Sequence, residues 1–166
     1  MLDDLGLATA VRAYVEEWSG RARVPVEVSA ELEGVRLPSN TEIAIYRMVQ
    51  EALVNVAKHA DAKHVQVRLA EEDGNLVAEV RDDGRGMALP DRDAHRRQRN
   101  GVARGDVANG GGLSAGVGLF GAQERIALVG GQFGIDSAPG HGTVVRAVIP
   151  LGPEQATRTL RSGPAS

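Results

Sequence analysis

The chain has 166 residues, of which 42% are hydrophobic and 25% charged, and a formal net charge of -3; these are the proportions of an ordinary soluble domain long enough to bury a core. Slight acidity gives no general reason to expect nucleic acid or an anionic membrane as partner. No apolar run reaches transmembrane length or follows a basic leader, so the expected location is cytoplasmic, with membrane anchoring left to any longer parent and the isolated domain expected as a monomer. There is no cysteine, which excludes disulfides and thiolate metal sites. His59, His64, His95 and His141 are too scattered to read as a zinc site.

From the N-terminus, Leu2, Leu5, Val11, Tyr14, Val15 and Trp18 recur at helical spacing, with Asp3 and Asp4 placed early where the helix dipole favours negative charge. The spacing predicts a first helix ending near Gly20. Val24-Pro25-Val26-Glu27-Val28 alternates like a strand, and Pro25 assigns it to a sheet edge or a strand start. Pro38, Ser39, Asn40 and Thr41 carry helix-start chemistry, with side-chain oxygens available to cap free amides.

In the helix that follows, at about 100° per residue, Glu51, Asn55, Lys58 and His59 gather on one side. Ile45, Val49, Ala52, Leu53, Val56 and Ala60 fall on the other. Such a polar stripe is either a solvated face or one wall of a pocket. Ile43, Met48 and Val54 border it where Glu and Lys would border a wet face, which favours the wall.

After His59 the period changes to two: Val65, Val67 and Leu69 alternate with polar residues, Asp73-Gly74 supplies a hairpin turn, and Leu76 to Val80 return. That hairpin ends in Asp82-Asp83-Gly84-Arg85-Gly86, where glycines two apart permit a sharp turn and close approach to a flat ligand. Alone, the motif is weak, because turns favour Asp and Gly. Residues 88–115 collapse into charge and glycine and are expected to form a mobile loop. Its Arg92, Arg96, Arg97 and Arg99 read first as a solvated cluster and second as a contact for phosphates or a partner.

Gly116-Val117-Gly118 is expected to be a turn leading into a helix that stops at Gly130-Gly131, and amides at such a helix start can receive phosphate oxygens. A strand from Gln132 to Asp136, a tight turn at Pro139-Gly140-His141-Gly142 and a strand from Thr143 to Ile149 complete the domain, taken as 1–151. Residues 152–166 are expected as a disordered tail. The order predicts an α+β, two-layer sandwich: a mixed, mostly antiparallel sheet covered on one face by helices.

Together the three elements are far more specific than any one of them. The polar helix, the Asp82 turn and the Gly116 segment resemble, in order, the N, G1 and G2 boxes of the ATP-binding family that includes sensor histidine kinases, gyrase-type ATPases, Hsp90 and mismatch-repair ATPases, which share the Bergerat-type fold. Glu51-Ala-Leu-Val-Asn55-Val-Ala-Lys58-His59, Gly118-Leu119 with Glu124-Arg125 and Gly130-Gly131, and Ser137-Ala-Pro-Gly140-His-Gly142-Thr143 are similar to the catalytic domain of the nitrate-sensor-like class of bacterial histidine kinases. The resemblance runs from Leu2 to about Leu151, apart from the glycine-rich loop, which then corresponds to an ATP lid.

The resemblance implies roles. Asn55 matches the magnesium ligand, Glu51 the residue that orients or polarises water near the metal, and Lys58 and His59 the phosphate contacts. Asp82 matches the adenine-reading carboxylate, which accepts from the exocyclic amine and would oppose a carbonyl oxygen. Gly84 and Gly86 shape that wall, Gly116, Gly118 and Leu119 close over the nucleotide, and Thr143 joins the adenine network. One departure stands out: the family's Met-Arg-Glu-Arg is here Ala122-Gln123-Glu124-Arg125.

The implied activity is binding of Mg-ATP and donation of its γ-phosphoryl group to a histidine on a dimerisation and phosphoacceptor helix, expected upstream of Leu2 and outside this chain. That would serve two-component signal transduction, with a response regulator as indirect partner. The alternatives are an anti-sigma-type serine kinase and a nucleotide-binding interaction module without chemistry.

Overall fold

The computed structural model describes residues 2–86 and 113–152. Its elements are helix α1 (Leu2–Ala22), strand β1 (Val26–Glu31), helix α2 (Ser39–Asn55) continued by a π-helical turn (Val56–Ala60), strands β2 (Val65–Glu72) and β3 (Asn75–Asp82), helix α3 (Leu113–Leu128), and strands β4 (Gln132–Ser137) and β5 (Thr143–Pro150). Of the loop expected over 88–115, residues 88–112, with the arginine cluster and His95, lie outside the described residues, and 113–115 instead open α3; of the tail expected over 152–166, residues 153–166 lie outside them.

Five strands form one sheet in the order β1-β2-β3-β5-β4. Only β1 and β2 are parallel; the other pairs are antiparallel. The β2–β3 hairpin closes where Asp73 (φ 50) and Gly74 (φ 77) both take the positive φ of the two-residue turn that matches strand twist. Pro25 precedes edge strand β1, and its carbonyl accepts the Val65 amide at 3.1 Å, so the residue without an N–H sits where only an acceptor is required.

All three helices contribute to one hydrophobic cluster with the inner face of the sheet, where Val11, Ile45, Leu53, Leu69 and Ile126 are fully buried. Arg68, Glu79 and Arg81 sit at alternate positions on the outer face. This is the expected two-layer α+β sandwich. In the sheet's register, Val26, Val65, Asp82, Thr143 and Ser137 stand in a single row across the five strands.

Local details refine these expectations. Helix α1 runs past Gly20 to Ala22 and is interrupted at Gly6 (φ 73, ψ 164). At the start of α2 the Asn40 side-chain oxygen accepts the Thr41 amide at 2.9 Å, as expected; the N-cap residue, Pro38, adds no side-chain cap, but its carbonyl takes the amides of Thr41 and Glu42 at 3.0 and 3.1 Å. Finally, α3 begins at Leu113, so Gly116 and Gly118 lie within a helix and not in a turn before it. Each glycine costs a helix about 1 kcal/mol relative to alanine. Burial of Leu119, Ala122 and Ile126 on α2 and the sheet offsets that cost.

Candidate functional site

Between α2 with its π-helical turn, strands β3 and β5, and α3 lies a pocket partly open to solvent. Val56, Val80, Leu119 and Val145 give it apolar walls, and Asn55, His59, Asp82 and Thr143 are its polar lining. A slot of this kind takes a flat, largely apolar ring and orients it through a few polar groups.

Asp82 and Thr143 are the buried polar pair, 8% and 7% exposed. They face each other across β3 and β5. The Gly84 amide donates to Asp82 Oδ1 at 2.9 Å. Loss of water from the Asp82 carboxyl raises its pKa above the ordinary value, an effect opposed by the Gly84 amide, reinforced by the Asp83 charge and opposed again by the Thr143 amide. Asp83 does something different: its Oδ1 accepts the amides of Lys63 and His64 at 2.9 and 3.0 Å, tying the connection between the π-helical turn and β2 to the end of β3.

The glycines after β3 are needed for backbone packing. A Cβ on Gly84 would collide with the Ala60 carbonyl, one on Gly86 (φ +68) with the Ala138 carbonyl, and one on Gly142 (φ +71) with the Asp82 carbonyl. Hydrogen bonds hold the same contacts: Arg85 donates to Ala60 at 2.7 Å and Gly140 to Arg85 at 2.6 Å. Gly86 lines the pocket, and Gly84 stands behind its lining. Free approach of a ligand was the expected reason for these glycines; close contact of three loops is the observed one.

On α2, the π-helical turn alters the predicted stripe. It winds through fewer degrees per residue than an α-helix, so residues after Asn55 are rotated from the positions a regular helix would give them. His59 lines the pocket, while Lys58 is exposed and outside its lining. Asn55 lines the pocket with its Nδ2 buried and without a hydrogen-bond partner among the described residues. Glu51, one turn earlier, packs against Gly118, where a Cβ would collide with Oε2 and approach Cδ to 3.1 Å. Gly118 in helix α3 therefore lets the Glu51 carboxylate come against α3. Leu119 lines the pocket; Gly116 lies further up the same helix.

The sequence pattern of the histidine kinase-, DNA gyrase B-, and HSP90-like ATPase family matches residues 40–153. The chain belongs to that family. It is 36% identical over 150 residues to the oxygen sensor histidine kinase NreB of Staphylococcus carnosus (strain TM300), covering 90% of this chain and 38% of the relative. Against the signal transduction histidine-protein kinase/phosphatase DegS of Brevibacillus brevis it is 30% identical over 154 residues, covering 93% of this chain and 35% of the relative. The chain thus spans little more than a third of the length of these relatives.

Among solved structures, the fold is similar to the histidine kinase domain of the blue-light activated histidine kinase of Erythrobacter litoralis EL346, with a TM-score of 0.64 and 23% identity over 87% of this chain and 65% of that one. It is also similar to the histidine kinase AdeS of Acinetobacter baumannii, with a TM-score of 0.59 and 14% identity over 88% of this chain and 64% of that one.

The family is one of ATPases, and the matched residues take in every element that lines the pocket. Two residues of the Ser137–Thr143 motif to which the sequence assigns no individual role contribute here: the Gly142 backbone packs on Asp82, and Ser137 stands in register beside Thr143. Ala122, the departure from the family motif, is fully buried, and Gln123 is exposed.

Proposed function

We propose that this chain binds Mg-ATP and donates the γ-phosphoryl group to a histidine of a helical phosphoacceptor and dimerisation segment, on the cytoplasmic side, as the catalytic unit of a two-component system that ends on a response regulator. The observation that carries the reading is the pairing, in one pocket, of a buried carboxylate and hydroxyl suited to a base with an amide and an imidazole suited to a phosphate chain. Both curated relatives are named histidine kinases, which supports the same acceptor.

Asp82, backed by Thr143, would accept from the adenine amine, with Gly84 and Gly86 fixing that wall. Asn55 lines the pocket and fits a magnesium ion through its amide oxygen, which suits a hard cation, while its buried Nδ2, without a partner among the described residues, is a donor suited to a phosphate oxygen. When bound, the ion would neutralise charge on the β- and γ-phosphates. Glu51, held against Gly118, would orient water beside the metal or the incoming imidazole. His59 and the longer Lys58, reaching in from the exposed side, would donate to phosphate oxygens, and the segment around Gly116, Gly118 and Leu119 would cover the nucleotide. Positioning and charge neutralisation then supply most of the catalysis.

Calorimetry with and without magnesium tests the metal role. Asn55→Ala is expected to abolish the magnesium-dependent part of ATP affinity, and to leave thermal stability nearly unchanged because the amide nitrogen it removes has no partner among the described residues. Equal losses with and without magnesium would contradict the role given to Asn55.

A further inference from the structure

We propose that Ser137, which stands outside the nucleotide pocket, fixes the polarity of the Thr143 hydroxyl and so makes the pocket select a base with an exocyclic amine over one with a carbonyl at that position. The inference rests on the reading of Asp82 and Thr143 as the base-recognising pair.

The argument is a count of protons. A serine hydroxyl has one proton to donate and two lone pairs. Ser137 Oγ lies 3.0 Å from the Gly142 carbonyl, which can only accept, so Ser137 is the donor there. Ser137 Oγ also lies 2.8 Å from Thr143 Oγ1. With its proton already directed at Gly142, Ser137 accepts in this second bond, and the Thr143 hydroxyl must donate. The Thr143 proton therefore points away from the pocket toward β4, and Thr143 Oγ1 offers the pocket lone pairs only.

The Gly142 carbonyl that starts this chain is held firmly. Gly142 has a φ of +71, and its Cα face packs on the Asp82 carbonyl so closely that a Cβ would collide. Ser137, Thr143 and Asp82 are register neighbours across β4, β5 and β3, so the polarity set at Ser137 reaches the group beside Asp82. An ionised Asp82 is likewise an acceptor only. Two acceptors side by side match an amine, which has two N–H donors to give directly or through a water, and oppose a carbonyl oxygen, which would leave buried acceptors facing one another. Ser137 touches no ligand in this arrangement; it is a positioning residue acting through Thr143.

Affinities for adenosine and inosine triphosphates, which differ at the purine 6-position, provide the test on the full chain. Wild-type protein should prefer the adenosine form. In Ser137→Ala the Thr143 hydroxyl is released to turn and donate toward a 6-oxo group, and the preference should shrink by about three- to tenfold, chiefly through tighter binding of the inosine nucleotide. Ser137→Thr, which retains a hydroxyl, should retain the wild-type ratio, and in a Thr143→Val background the ratio should no longer depend on residue 137. An unchanged ratio in Ser137→Ala, or loss of both nucleotides by the same factor, would overturn the proposal and leave Ser137 a purely structural residue. Absence of ATP binding or of any adenosine preference in the wild type would instead overturn the base-reading assignment itself, and the inference with it.

Discussion

At Asp82 the demands of binding and of folding point in opposite directions. Burial raises its pKa, and a carboxyl whose folded pKa lies above its unfolded value stabilises the fold fully only below the unfolded pKa; that contribution is lost as pH rises through the folded one. At neutral pH the ionised group therefore costs stability while supplying the acceptor that adenine needs. Asp82→Asn should melt at the same or a higher temperature than wild type, yet bind ATP at least about tenfold more weakly, as melting curves and calorimetry would register. ATP affinity of the wild type should also fall as pH drops through the raised pKa, because protonation consumes an acceptor. A joint fall of stability and affinity in Asp82→Asn would mean that the side chain is chiefly structural.

Gly118 makes a second separation at the same scale. Alanine is the better helix residue by about 1 kcal/mol, but its Cβ would displace the Glu51 carboxylate. Gly118→Ala should thus hold or raise the melting temperature and lower phosphoryl transfer by about tenfold or more, with a smaller change in ATP affinity. Unimpaired transfer would remove Glu51 from the chemistry. The polar stripe at helical spacing made Glu51 and Asn55 visible as candidates in the sequence, and the Asp-x-Gly-x-Gly turn did the same for Asp82. What the sequence could not reveal is the contact partner of each glycine, since a glycine's reason lies in whatever backbone approaches it from elsewhere in the chain.

Among the elements, periodicity located every described helix and strand, because each has one face to bury. It failed where packing overrides local preference. Gly116-Val117-Gly118 reads as a turn by propensity, but the apolar stripe through Leu119, Ala122 and Ile126 draws α3 back to Leu113. The π-helical turn over Val56–Ala60 has no composition of its own; it is fixed by the Ala60 carbonyl receiving the Arg85 amide and by Asp83 holding the amides of Lys63 and His64. This packing predicts the sign of two substitutions. Gly84→Ala and Gly142→Ala each force a Cβ into backbone, Ala60 in one case and Asp82 in the other, and should destabilise by about 1–3 kcal/mol. Denaturant titration would measure this, and neutral alanines at both sites would show that the three loops are not in register contact.

For the molecule as a whole, one covered sheet face and one polar face are legible in the order of the elements, and the family is legible in three short motifs whose combination is specific although each alone is weak. The acceptor of the phosphoryl group is the part that sequence and fold leave to chemistry, since the same pocket could serve a histidine or a serine. The most direct measurement is to mix this chain with its matching helical segment and γ-labelled Mg-ATP, and to ask which conditions release the label from that partner. A phosphohistidine product, lost in acid and kept in base, is the expected result. Label that survives acid, or tight ATP binding with no transfer at all, would contradict the proposed histidine kinase activity.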